Sequence, residues 1–204
     1  MTTAAWDEIG EAIRAAPYPV TVLPPNHQRA PECLTTLEIT TRSWLGAVVA
    51  NTGGILVDHG WLRVLGSGYG ELPDVLMDID PATRWLTVAV DVLGGQYCWF
   101  QAAPDRPPTI HYFGPDELEW LDTEHGYGSW LSAVLSGLLT GFYETLRWPG
   151  WETEVAALSL SQGIHTFPPP FTVEGRNLAE ASRAAVPMAE LISFHHDAAR
   201  QLRG

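Results

Sequence analysis

The chain has 204 residues, 24 acids and eleven basic residues, every one an arginine, for a formal net charge of −13. The absence of lysine excludes Schiff-base chemistry and a phosphate-cradling Walker loop, and the charge argues against nucleic acid as a direct partner, because phosphate neutralisation supplies most of that affinity. Cys33 and Cys98 alone make no disulfide framework, and no Cys-x-x-Cys spacing offers a zinc or redox site.

At this length, with 46% hydrophobic residues, one globular domain spanning 1–204 is expected. The first ten residues lack the basic and apolar regions of a signal peptide. Trp6, Ile9 and Ile13 recur at helical spacing, so a helix is predicted over 1–16, stopped by Pro17. Tyr18 to Leu23 reads as extended. Ser43 is placed to cap a helix with Leu45, Val48 and Val49 on its apolar side, and Gly53 suits a left-handed position at its end.

The middle of the chain reads as antiparallel meander. Ile55–Val57 and Trp61–Leu65 flank the short loop Asp58-His-Gly60, and Asp58 is expected to accept backbone N–H bonds within that turn. Trp85–Val92, a Gly94-Gly95 turn, Gln96–Phe100 and Thr109–Phe113 continue the pattern, giving about five to six strands. From Trp130 to Leu146 the apolar spacing becomes helical over four turns, with Ser129 as the expected cap. That stretch is too short and too polar to span a bilayer, and the chain as a whole reads as cytosolic and reduced. Trp148-Pro-Gly-Trp151 breaks the helix, and a shorter one follows from Glu152. Gly163–Phe171 is extended and proline-rich, and 172–183 is the expected mobile connection. Pro187 opens a final helix predicted to bury Met188, Leu191, Ile192, Ala199 and Leu202. Helices covering an antiparallel sheet make an α+β domain.

The chemical motifs are weak. Gly66-Ser-Gly-Tyr-Gly70 lacks the spacing and the following helix of a dinucleotide site. Asp58-His59 has no nucleophile elbow to serve. His195-His196-Asp197, consecutive on a helix, point about 100° apart and cannot converge on a metal; Asp78-x-Asp80 begins a calcium loop that Pro81 breaks. No metal and no cofactor is expected, and no catalytic residue is assigned.

Binding candidates fall in two groups. Asp58, His59, Arg63, Asp91 and Arg147 could line a pocket in which two arginines clamp an anion, unless those arginines pair with Asp91 or Glu152; Trp61 is a further binding candidate on the same strand as Arg63. Asp116, Glu117, Glu119, Asp122 and Glu124 crowd a stretch without basic residues, fit to steer a basic protein partner. Trp148 and Trp151, around a Pro-Gly break, are the candidate exposed aromatic platform, with Glu152 beside them. No membrane partner is expected, and the oligomeric state is not encoded.

Taken in order, several segments resemble a bacterial family catalogued as domain of unknown function 2625. They are Thr52-Gly-Gly-Ile-Leu-Val-Asp-His-Gly-Trp-Leu-Arg-Val-Leu-Gly-Ser-Gly68, Asp91-Val-Leu-Gly-Gly95 and Tyr112-Phe-Gly-Pro-Asp-Glu-Leu-Glu-Trp120, then Phe142-Tyr-Glu-Thr-Leu-Arg-Trp-Pro-Gly-Trp-Glu152 and Gln162-Gly163. The resemblance runs over residues 34–202 and implies no chemistry. More loosely, the helix, glycine pair and strand around Thr52-Gly-Gly54 resemble SUKH-type domains, which would imply an immunity-like role of binding and neutralising a toxin. Two functions are therefore carried forward: a non-catalytic protein-binding domain, and a small-molecule-binding protein or enzyme with an Asp/His/Arg pocket.

Overall fold

In the computed structural model the described residues are 3–79, 85–103 and 105–203. Asp80 and Pro81 of the broken calcium-loop pattern lie outside them, as do Met1 and Thr2. Helix α1 (Ala4–Ala15) is capped by the Thr3 side chain and ends before Pro17, and strand β1 (Val20–Leu23) follows. Helices α2 (Arg29–Thr36) and α3 (Trp44–Asn51) come next; Ser43 accepts from the Gly46 N–H at the start of α3, as its sequence position implies.

Strands β2 (Gly54–Val57), β3 (Leu62–Leu65), β4 (Leu86–Asp91), β5 (Gln96–Phe100), β6 (Thr109–Phe113) and β7 (Trp120–Asp122) complete a sheet with β1. Its order is β1-β2-β3-β4-β5-β6-β7, every pair antiparallel. The chain is thus an α+β fold built on a seven-stranded meander, at least one strand longer than the sequence pattern shows. The additional strand β7 is short, exposed and acidic, so it lacks the apolar alternation that marks its neighbours.

Every residue of β4 is buried, because the sheet is covered on both faces at its centre. Side-chain alternation along β5 separates the two layers. Tyr97 points to α4 (Tyr127–Ala133), its ring 5.2 Å from Trp130. Gln96, one residue earlier, points the other way and bonds His196 at 2.6 Å. His196 belongs to the long C-terminal helix, which lies against the hairpin formed by the last two strands. After α4 come α5 (Leu139–Phe142) and α6 (Trp151–Ala156), then β8 (Gln162–Phe167) and β9 (Ser182–Pro187), which pair only with each other, and α7 (Met188–Arg203).

Gly53, the helix predicted from Trp130 to Leu146, its Ser129 cap and the apolar face of the last helix differ from expectation. Gly53 is not left-handed; it is required because a Cβ there would lie 2.5 Å from the Pro24 carbonyl oxygen and 2.6 Å from that of Gly68. The helix predicted through Leu146 is interrupted at Gly137 (φ 110°), where the backbone turns left-handed between α4 and α5. Its start is Gly126, and the Ser129 hydroxyl bonds back to the Gly126 carbonyl instead of capping. In α7, Leu202 is exposed and Ile192 half-buried, while His195, seven residues after Met188, lies on the buried seam with Met188, Leu191 and Ala199 as that spacing implies. Residues 172–183 contain a short 3-10 turn (Glu174–Arg176) and the first residues of β9, with Leu178 and Ala181 buried.

Candidate functional site

The β2–β3 connection carries three successive left-handed residues, Asp58 (φ 53°), His59 (φ 59°) and Gly60 (φ 85°). Only the glycine adopts that backbone without cost; for the other two it costs of the order of 1–2 kcal/mol each. The turn is held by the Asp58 N–H donating to the Pro19 carbonyl at 2.8 Å and the Trp61 N–H to the Asp58 carbonyl at 3.0 Å. The Asp58 carboxylate takes no N–H of the turn. It accepts from Arg147 Nη2 at 2.5 Å, and both side chains are largely removed from solvent.

Arg147 follows the 3-10 turn Glu144–Leu146 in extended conformation. Its guanidinium carbon stands 4.3 Å from the Trp151 ring centroid, 5.1 Å from Trp61 and 5.8 Å from Tyr143. Desolvated cation–π contacts of this kind contribute about 2 kcal/mol or more. Trp61 lies against Trp148 at 5.8 Å and Trp151 at 5.0 Å, and the exposed His59 ring meets Trp151 edge-on at 5.7 Å. Thus Asp58, His59, Trp61, Arg147, Trp148 and Trp151 do come together, but around the arginine and not around an open cleft.

The exposed platform is corrected by this packing: Trp148 is 2% exposed and Trp151 9%. Trp148 donates its indole N–H to Glu154 at 2.9 Å, and Arg183 lies over its ring at 4.8 Å while pairing with Glu154 at 3.0 Å. Arg147 pairs with neither Asp91 nor Glu152. Glu152 is half-buried on the first turn of α6, outside the arginine cluster's ion pair.

Asp91, fully buried at the end of β4, forms a second centre. One carboxylate oxygen accepts from the Leu93 and Gly95 N–H groups, each at 2.9 Å. The other accepts from the hydroxyls of Tyr112 at 2.8 Å and Tyr143 at 3.0 Å. Burial raises the carboxyl above its ordinary range, even against these four donors. Tyr97 adds its hydroxyl to that of Tyr143 at 2.8 Å. Tyr143 joins the two centres, its ring under the Arg147 guanidinium and its hydroxyl on Asp91. The tyrosines were missed in the sequence because an aromatic at strand or helix spacing reads as core; only Asp91 ahead of a double glycine hinted at a carboxylate in need of donors.

Arg63 stands apart from the Asp58 pair. It donates to the carbonyls of Leu160 at 2.9 Å and Gln162 at 2.6 Å, pinning β8 against the sheet. Burial pushes its pKa down to about 10, and its 2% exposure leaves no surface to offer a ligand.

The acidic candidates take the opposite situation, on the β6–β7 margin. Glu117, Glu119, Asp122 and Glu124 are exposed, Asp116 is half-buried, and Leu121 in the same stretch is 59% exposed. Among the described residues, the Arg203 guanidinium stands 3.7 Å from Glu119 and the His111 ring 3.8 Å from Asp122.

The family model described as "Protein of unknown function DUF2625" matches residues 1–191. The chain belongs to the DUF2625 family. It is 34% identical over 176 residues to the uncharacterised protein YbfG of Escherichia coli (strain K12), an alignment covering 81% of this chain and 79% of that one. It is 32% identical over 176 residues to an uncharacterised protein of Haemophilus influenzae (strain ATCC 51907 / DSM 11121 / KW20 / Rd), covering 81% and 77%. The DUF2625 match starts well before residue 34, and both buried centres fall inside it. It supports the first resemblance and not the looser one to SUKH-type domains. Among the described residues of this DUF2625 protein, no three His, Cys, Asp or Glu side chains gather to hold a metal, and no helix is long and apolar enough to cross a membrane.

Proposed function

We propose that this DUF2625 protein is a non-catalytic binding domain whose acidic β7 margin engages a basic protein partner. The observation that carries the reading is the edge strand itself. β7 pairs on one side only, with β6; Glu117, Glu119, Asp122 and Glu124 on the strand and its flanks are exposed, and so is Leu121, on the opposite face of the strand from Asp122. An exposed apolar side chain on a margin of one sign of charge combines desolvation with electrostatic steering, the usual division of labour in a protein interface. An edge strand also keeps unpaired backbone groups that a partner segment can use.

The alternative, a small-molecule pocket of Asp58, His59, Arg63, Asp91 and Arg147, draws less support. Asp58 and Arg147 neutralise each other, Asp91 is saturated by four donors, and Arg63 is spent on two carbonyls. Only His59 of the five is exposed. A cytosolic setting, inferred from the cysteine usage, suits such a domain.

The test is affinity capture with the intact protein and with a Glu119→Arg/Glu124→Arg variant, each at low and at high salt, read by mass spectrometry. Both sites are exposed, so the variant keeps its fold. A partner retained by the unmodified protein at low salt, and lost both at high salt and with the variant, is the expected result. Identical retention by the two proteins removes the acidic margin from the function.

A further inference from the structure

At one end of the acidic margin lies a recess that takes in Asp116 and Glu117 but not Glu119 or Glu124. It has a volume of about 370 Å³ and opens between the turn after β6, the helical end before Arg147 and the proline-rich segment after β8. Asp116 and Glu117 line it from the first, Thr145 and Leu146 from the second, and Arg176 and Leu178 from the third. The size falls within the range of small-ligand sites, about 300–1,000 Å³.

The lining has both signs of charge and an apolar base. Leu146 and Leu178 are buried. Asp116 is half-buried, and burial lifts its carboxyl above the ordinary range. Arg176 is exposed and within ion-pairing distance of no carboxylate among the described residues, so the two signs share one recess without neutralising each other. This contrasts with Arg147 and Arg183, which are both consumed by neighbours.

The backbone that carries Arg176 is held in place. The preceding Gly175 is buried and donates its N–H to the Thr172 hydroxyl at 3.0 Å. A Cβ at position 175 would stand 1.8 Å from the Pro169 carbonyl oxygen, so the segment folds on itself only with glycine there. The arginine is therefore presented by a compact loop.

We propose that this recess is a binding site for a free α-amino acid. Asp116 and Glu117 take the ammonium, and Arg176 and the Thr145 hydroxyl take the carboxylate. A ligand with only one of the two charges leaves the other set of groups unmatched, which is what makes the zwitterion the favoured class.

Calorimetric titration of the intact protein with L-leucine, 3-methylbutylamine and 4-methylpentanoate tests this. The three probes share an apolar group and differ in which charges they carry. Leucine is expected to bind at least about tenfold more tightly than either single-charge analogue, a gap of one charge-assisted contact. Arg176→Gln and Glu117→Gln are each expected to weaken leucine binding by about tenfold with unchanged melting, since both side chains are exposed. Absence of leucine binding, equal binding of the three probes, or full affinity in Arg176→Gln overturns the proposal. Partner capture is read through Glu119 and Glu124 and does not involve Arg176, so failure of one reading is distinguishable from failure of the other.

Discussion

Asp58 and Arg147 lie 89 residues apart in the chain and 2.5 Å apart in space. Their bridge ties the strained β2–β3 turn to the helical layer, within a wall of Trp61, Tyr143 and Trp151. A buried pair of this kind adds little over an apolar replacement of both partners, but removal of one leaves an uncompensated charge. Arg147→Met is therefore expected to destabilise the protein by about 3–5 kcal/mol. The double variant Asp58→Asn/Arg147→Met is expected to recover a large part of that loss. Urea unfolding midpoints of the three proteins decide it; a single-variant loss below about 0.5 kcal/mol would mean that the pair does not hold the turn.

The sheet was largely legible in the sequence, and the long-range bonds were not, for a physical reason. Alternating apolar residues in 55–65 and 85–113 report burial on a pleated surface, which is a local property of each strand. The choice of Asp58 as partner of Arg147, over Asp91 or Glu152, depends on where a helix ends relative to a turn 89 residues earlier. Nothing in the spacing encodes that. Trp148 and Trp151 misled because a Pro-Gly break suggests exposure, whereas the break here folds both indoles onto Trp61. Gly137 hid inside a well-formed apolar period, since periodicity reports which face is buried and not whether the backbone turns. Asp116 and Glu119 were readable as acidic surface, but the recess that Asp116 shares with Arg176 needs the fold.

Gly95 is the point at which the Asp91 centre tolerates no side chain. A Cβ there would stand 2.1 Å from the Asp91 carboxylate and 2.6 Å from the Tyr112 hydroxyl. Gly95→Ala is expected to cost more than about 3 kcal/mol, in the class of substitutions that break a buried hydrogen-bond network. Tyr112→Phe, which removes one donor to the carboxylate and adds no bulk, is expected to cost about 1.5–3 kcal/mol. Thermal or urea unfolding orders the two. If Tyr112→Phe proves the more damaging, the centre is held by its hydroxyl donors and not by the close approach at position 95.

Cys33 and Cys98 are both fully buried, and burial pushes their thiols up to about 11 and about 12 respectively. The thiolate is the reactive species, so its population at pH 8 is minute. An aromatic disulfide reagent at pH 8 is expected to modify neither thiol of the native protein over minutes and both once guanidinium is added. Rapid modification of one thiol in the native state would show that the element carrying it opens readily.

His195 carries the last prediction, one of pH. It sits at 2% exposure on α7 against the Gly94 turn, where a Cβ at 94 would lie 3.2 Å from its Nδ1, with His165 and His196 as titratable neighbours. Burial first, then the field of His165, hold its pKa down to about 4, against an ordinary 6.5. Between those values the unfolded chain binds the proton and the folded one does not. Its contribution is therefore complete above pH 6.5 and lost as pH falls toward 4, by on the order of 2–3 kcal/mol. Asp91 acts with the opposite sign, because a carboxyl raised by burial costs stability as pH rises above its ordinary 3.8. Comparison of unfolding midpoints from pH 7 to pH 4 separates the two. His195→Gln is expected to flatten the acid-side decline and Asp91→Asn to steepen it. Parallel curves for His195→Gln and the unmodified protein would place the acid sensitivity elsewhere.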